Sequence, residues 1–238
     1  MRLKMHKIVP LALVAALLPV AALAEGSVRG AELGFTWSGL AEGQQRHKNN
    51  LALEGAVEYG FTPGFAAQLD VAQHHFTNSN DEATNVTLHA IGHVNDGFAV
   101  GGFLGHEWVG GNHMEHYGLE ATHDFGLLTV EGNATLLKND GNDATILGLD
   151  GRYALTDALS LGGRVKTVNA DHGSDTTAFD ATLGYAMPSG VKIDGSLGLV
   201  DGNQSDRELT VGLGVKFLMG GNGVTFGKRG LSQSIIGN

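Results

Sequence analysis

From Asn50 onward, apolar side chains recur at every second position in segments of roughly ten residues, the pattern of strands with one apolar face. In "LALEGAVEY", Leu51, Leu53, Val57 and Tyr59 share one face and Glu54 and Glu58 the other. After the turn "FTPG", Phe65, Ala67, Leu69 and Val71 lie opposite Gln68, Asp70 and His74. The same alternation repeats down the chain to Leu209, Val211, Leu213, Val215 and Phe217, and with a first strand near Arg29 to Trp37 it predicts twelve strands. Short breaks such as "FTPG", "VNDG", "HDFG", "LTDA" and "MPSG" alternate with mostly longer ones, among them "SGLAEGQQRHKN", "TNSNDEA" and "NADHGSD". This rhythm predicts an all-β fold, a twelve-stranded antiparallel up-and-down transmembrane β-barrel with short turns on one rim and loops on the other.

Aromatic residues supply a second test, because a membrane barrel carries girdles at its two interfaces. On the apolar face, Tyr59, Phe65, Phe98, Tyr153, Tyr185 and Phe217 fall at short-turn ends, and Trp37, Trp108, Tyr117 and Phe179 toward the loop ends. A soluble sandwich would bury its aromatic residues in mid-strand.

Before the strands, Arg2, Lys4 and Lys7 precede an apolar run from Ile8 to Leu23 and a small-residue "ALA", the layout of a secretory signal peptide cleaved after Ala24. Losing residues 1–24 removes those three cations and no acidic residue, leaving 12 Lys and Arg against 25 Asp and Glu, a formal charge of −13. An excess of that sign argues against nucleic acid as a partner. The chain contains no cysteine, so disulfides do not hold it together.

These features together resemble the small outer-membrane β-barrels and porin-like proteins of Gram-negative bacteria. The resemblance covers residues 25–217 and rests on pattern, including a last strand "GLGVKF" whose terminal Phe217 looks like the aromatic signal read by the barrel-assembly machinery. It implies outer-membrane lipid, lipopolysaccharide and that machinery as partners, no cofactor, and leaves self-association open. Residues 218–238, "LMGGNGVTFGKRGLSQSIIGN", continue past the pattern as a Gly-rich tail that is periplasmic, a plug in the lumen, or disordered.

The inward face divides by charge. No Lys or Arg occurs between Asn49 and Leu137, and alternation turns Glu54, Glu58, Asp70, His74, His89, His93, Glu107, His116, Glu120 and Glu131 inward there. Later strands contribute Arg152, Arg164, Lys166, Lys192 and Lys216. Opposed walls of this kind set a transverse field across a pore and bias which ions enter. Many inward positions are small, Ala52, Ala56, Ala72, Gly101 and Gly105 among them, which favours a narrow pore over a lumen closed by paired charges. The expected function is a porin-like channel for passive diffusion of small hydrophilic solutes or ions, with weak cation preference. A non-conducting structural or surface-interaction barrel with a salt-bridged lumen is the main alternative. Small twelve-stranded channels for acidic oligosaccharides are similar in size and architecture, but their lumens are richly basic.

The run "HEWVGGNHMEH" raises two chemical alternatives. A zinc peptidase helix needs its second histidine four residues after the first, and that position is Gly110. A lipid-hydrolysing barrel needs a serine beside a lipid-facing histidine near the outer rim, and Ser160 and Ser196 point inward. No catalytic residue is assigned. A two-residue turn at Gly110 and Gly111 leaves His106, His113 and Glu115 on the outer surface as a weak metal candidate.

Overall fold

The structure, a computed structural model, describes residues 26–41, 49–77, 81–139, 143–171, 175–203, 205–220 and 223–235. The signal peptide read at residues 1–24 lies outside the described residues. The strands are β1 (Ser27–Leu40), β2 (Asn49–Thr62), β3 (Phe65–Phe76), β4 (Glu82–Asn95), β5 (Phe98–Val109), β6 (Asn112–Asp124), β7 (Leu128–Lys138), β8 (Ala144–Ala154), β9 (Leu159–Ala170), β10 (Thr176–Ala186), β11 (Val191–Gly202) and β12 (Ser205–Met219). Each pairs antiparallel with its sequence neighbours, and β12 returns to β1, so the sheet closes without an edge. Closure satisfies the backbone of every strand internally, which is what the absence of water in a bilayer core demands. The barrel wall runs to Met219 rather than ending at Phe217, because Leu218 and Met219 still pair with Glu32 and Ala31.

Strand pleat then sorts the side chains. On the outside, Leu119 is 72% and Leu104 63% exposed, and Leu149, Leu161, Leu197 and Leu213 are exposed with them. An outward surface of this composition is the lipid-facing belt of a membrane barrel. The short-turn rim carries a linked aromatic set, Tyr59 5.0 Å from Phe61 and Phe61 5.5 Å from Phe65 between ring centroids. Around the rest of the belt Phe98 is partly buried, and Tyr153, Tyr185, Phe217, Trp37, Trp108, Tyr117 and Phe179 are exposed. At the opposite rim the register sets Trp108 against His113 and His106 against Glu115 across a turn whose Gly110 and Gly111 have φ of 57° and 95°. Positive φ at both central residues is what a tight hairpin needs, and only glycine adopts it freely.

Inside, the lumen is not lined by polar groups alone. Ile91, Ala66 and Ala99 turn inward and bury Phe226 of the C-terminal tail. Nearer the loop rim, Met114, Leu137, Ile146 and Val168 form a second inward apolar cluster, with Leu231 of the tail packed against it. The described part of the tail therefore lies inside the barrel, climbing from the short-turn rim and finishing in a single helical turn, α1 (Ser232–Ile235).

Candidate functional site

The tail meets the barrel where the strands supply acids and histidines. Thr225 N–H donates to Glu58 at 2.8 Å. The amide of Gln68 bridges Phe226 twice, donating to its carbonyl at 2.8 Å and accepting from its N–H at 3.1 Å. Gly227 N–H donates to Glu131 at 3.2 Å. Glu107 accepts from the N–H groups of Leu231 and Ser232 at 2.7 and 3.0 Å, satisfying donors that a helix start leaves open. Gln233 donates to Glu54 at 2.7 Å and reaches His74 Nε2 at 3.2 Å.

Two tail cations complete the arrangement. Lys228 pairs with Glu32 and stands 3.7 Å from Glu54. Arg229 pairs with Glu120 at 2.8 Å and Glu131 at 2.6 Å, with its guanidinium carbon 5.6 Å from the centroid of Phe103. Burial alone would lower the pKa of both side chains. The carboxylates outweigh it, Glu54 and Glu32 for Lys228 and Glu131 and Glu120 for Arg229, and hold both charges above their ordinary ranges.

The remaining members of this wall are knitted to one another. His89 sits with Nδ1 2.7 Å from Glu120 and Nε2 3.0 Å from Asp70. Asp70 also accepts from Gln68 at 2.8 Å. His93 lies 3.3 Å from Glu58, which also has Arg29 at 3.9 Å. His74 Nδ1 meets the side-chain amide of Asn50 at 3.1 Å, and His116 Nε2 meets the Thr87 hydroxyl at 2.8 Å. All ten acid and histidine positions read from the alternation thus occupy one interior surface, and Glu54, Glu58, Glu107 and Glu120 are each 5% exposed or less.

The cationic positions behave differently. Arg164 donates to Asp150 at 2.5 Å, Arg152 to Asp194 at 3.0 Å and to Ser160 at 3.0 Å, and Lys192 stands 3.8 Å from Asp194. Lys166 donates to the Gln233 carbonyl at 2.9 Å, the point where this wall touches the tail. Between the tail and β8–β12 lies a cavity of about 510 Å³, lined by Arg152, Arg164, Lys166, Lys192 and Lys216 and reaching the short-turn residues Thr156 and Asp157. Strand cations and their neighbouring acids line one side of it, and Glu32, Glu54, Glu131 and the tail residues Lys228 and Arg229 line the other.

Alternation sets Gln68 on the polar face of its strand, but it does not mark Glu32 and Asn85 as inward groups, and a plug reading of the tail does not single out Phe226, Lys228, Arg229 and Gln233. On sequence alone, small inward glycines leave room for a pore. At Gly101 the room belongs to the tail, since a Cβ there would stand 2.8 Å from the Phe226 ring and 2.8 Å from Glu120. Gly105 is filled in the same way by His116, and Gly118 by Phe103.

At the outer hairpin, His106 stacks on His113 with centroids 5.6 Å apart and lies tilted against Trp108 at 4.4 Å. Among the described residues, no three histidine or carboxylate groups converge as a metal set. These rings pack as an aromatic patch at the loop rim, where amphipathic rings meet a membrane interface.

No family model matches the chain, and no curated protein does. Solved structures do. The KdgM porin superimposes with a TM-score of 0.61 at 12% identity, covering 78% of this chain and 98% of that one. The NanC porin gives 0.57 at 11% identity over 79% and 98%. An outer membrane channel from Pseudomonas putida F1 gives 0.54 at 10% identity over 81% and 95%. At these identities the likeness is one of fold. In fold, the chain is a porin-like outer-membrane β-barrel.

Proposed function

We propose that the protein is an outer-membrane channel of the porin type, through which small hydrophilic solutes or ions diffuse along the basic half of the lumen while the tail occupies the acidic half. The carrying observation is the cavity of about 510 Å³ between the tail and β8–β12, inside a closed barrel with a lipid-facing belt. The likeness to porins and outer membrane channels supports the reading at the level of fold. Weak cation preference, expected from the sequence alone, presupposes that Glu54, Glu107, Glu120 and Glu131 face water. With those carboxylates held by the tail, and Arg152 and Arg164 paired to Asp194 and Asp150, Lys192 and Lys216 tip the remaining path, so the docked state prefers anions.

Reversal potentials across a KCl gradient in planar bilayers test this. The full chain gives discrete current steps with chloride favoured, and Lys192→Glu with Lys216→Glu moves the potential toward cation preference. Steady cation selectivity in the unsubstituted chain would remove the anion reading. A second reading, a structural barrel without transport, draws on the tail's occupation of half the lumen. Folded barrel that never raises bilayer current would establish that reading and end the channel one.

A further inference from the structure

The acidic wall is completed by cations that its own strands do not supply. From Asn49 to Leu137 the chain carries no Lys or Arg, yet Glu54 and Glu120 there are 2% and 5% exposed. Carboxylates buried without partners are costly, and removing one partner of such a pair leaves the full desolvation penalty behind. The cations that meet Glu54, Glu120 and Glu131 are Lys228 and Arg229, on a segment held to the wall by no covalent bond except its own connection to β12. Glu32 and Glu54 form a socket for an ammonium group. Glu120, Glu131 and the ring of Phe103 form one for a guanidinium, with two acceptors in reach and an aromatic face beside the charge. The guanidinium socket has support that does not come from the tail, since Glu120 is also held by His89, which is held in turn by Asp70.

We propose that this acidic half of the lumen is a binding site for organic polycations carrying ammonium or guanidinium groups, the chemistry shared by short basic peptides and linear polyamines, and that Lys228 and Arg229 are its resident occupants. The tail competes with any such ligand as a tethered copy of it. A short tether gives an effective concentration on the millimolar scale, so the free site is far more available to outside ligands when the tail cations are removed. The proposal deepens the channel reading, since solutes reach the site through the lumen, but binding is measured without any current.

The test uses the full chain folded in detergent and a fluorescein-labelled peptide VTFGKRGLSQ, which copies residues 224–233. Fluorescence anisotropy is recorded for the unsubstituted chain, for Lys228→Ala with Arg229→Ala, and for Phe226→Ala, which loosens the tail and keeps its charges. Both variants bind the peptide about tenfold or more tightly than the unsubstituted chain. A peptide with Gln in place of both cations does not bind, and added salt weakens the complex. Displacement of the label by spermidine extends the ligands to polyamines, and displacement by unlabelled peptide alone restricts them to peptides. Equal binding by all three chains, or equal binding of the Gln peptide, would overturn the proposal. Should the double variant fail to fold, Phe226→Ala alone decides between the same outcomes. Binding without bilayer current would leave the site standing and remove the channel, and current without binding would do the reverse.

Discussion

Replacing Phe226 with alanine isolates the largest apolar contribution to tail docking. The ring is 1% exposed, packed among Ala66, Ile91 and Ala99, and stacked near His89 at 6.4 Å between centroids with an interplanar angle of 13°. The pocket is framed by strand backbone and cannot collapse far, so truncation is expected to cost about 3–5 kcal/mol. Gln68 still bridges the backbone of residue 226, and Lys228 and Arg229 keep their carboxylates, so the barrel wall itself stays intact. The cost therefore falls on the docked-to-free equilibrium of the tail. At about 1.4 kcal/mol per factor of ten, the free population rises by roughly two to nearly four orders of magnitude. The chain has no cysteine, so Ser232→Cys, 7% exposed in the docked tail, introduces a single reporter thiol. Its labelling by a hydrophilic maleimide proceeds through the free state, and its rate reads the equilibrium directly. Adding Phe226→Ala should accelerate labelling by that factor up to the rate of the unfolded chain, whereas Phe179→Ala on the lipid face should leave it unchanged. Acceleration of less than about threefold, or labelling of the Ser232→Cys chain as fast as in urea, would refute a docked tail.

Two further outcomes follow from single contacts. Arg229→Ala leaves Glu120 and Glu131 in place without their guanidinium, and removing one partner of a buried pair costs about 3–5 kcal/mol; faster Ser232→Cys labelling is expected, and adding Glu120→Gln with Glu131→Gln should slow it again by relieving the unpaired charge. At the outer hairpin, Gly111 has φ of 95° with nothing within 4 Å of a built Cβ, so Gly111→Val meets backbone strain alone, about 1–3 kcal/mol. That loss should appear in the urea midpoint of unfolding from detergent and leave Ser232→Cys labelling in the folded barrel as it was.

Why the wall was readable and the tail was not comes down to range. Side chains such as Leu53 and Glu54 point to opposite faces because strand geometry has a period of two, and lipid on one side and the lumen on the other make that period visible within a few residues. The contacts of Lys228 with Glu32, and of Arg229 with Glu120 and Glu131, span 196, 109 and 98 residues, and no local pattern encodes them. Signals were nonetheless present. A stretch from Asn49 to Leu137 rich in inward acids and without a single cation needs counter-charge from elsewhere, and "GKRG" supplies it from the tail. Ile91, Phe103, Met114, Leu137, Ile146 and Val168 break the rule of polar inward positions, and those exceptions mark where Phe226 and Leu231 land. Small inward residues carried the opposite hint, since a gap in a wall serves a packed ring as well as it serves water.

The two halves of the lumen thus differ in how their charge is balanced, and this ties structure to selectivity. On the basic side, Arg164 meets Asp150 and Arg152 meets Asp194 within the wall itself, so those two pairs do not depend on the tail. On the acidic side, Glu32, Glu54, Glu120 and Glu131 meet Lys228 and Arg229 of the tail, with His89 of the wall beside Glu120. Releasing the tail removes both cations at once and bares those carboxylates to solvent. Under the proposed channel function, Lys192 and Lys216 set the field of a docked lumen, and a released one would gain an unneutralised acidic face opposite them. In the proposed channel, tail position and ion preference form one coupled equilibrium, in which whatever biases the docking of Phe226 and Arg229 is expected to move the reversal potential toward cations as the tail leaves.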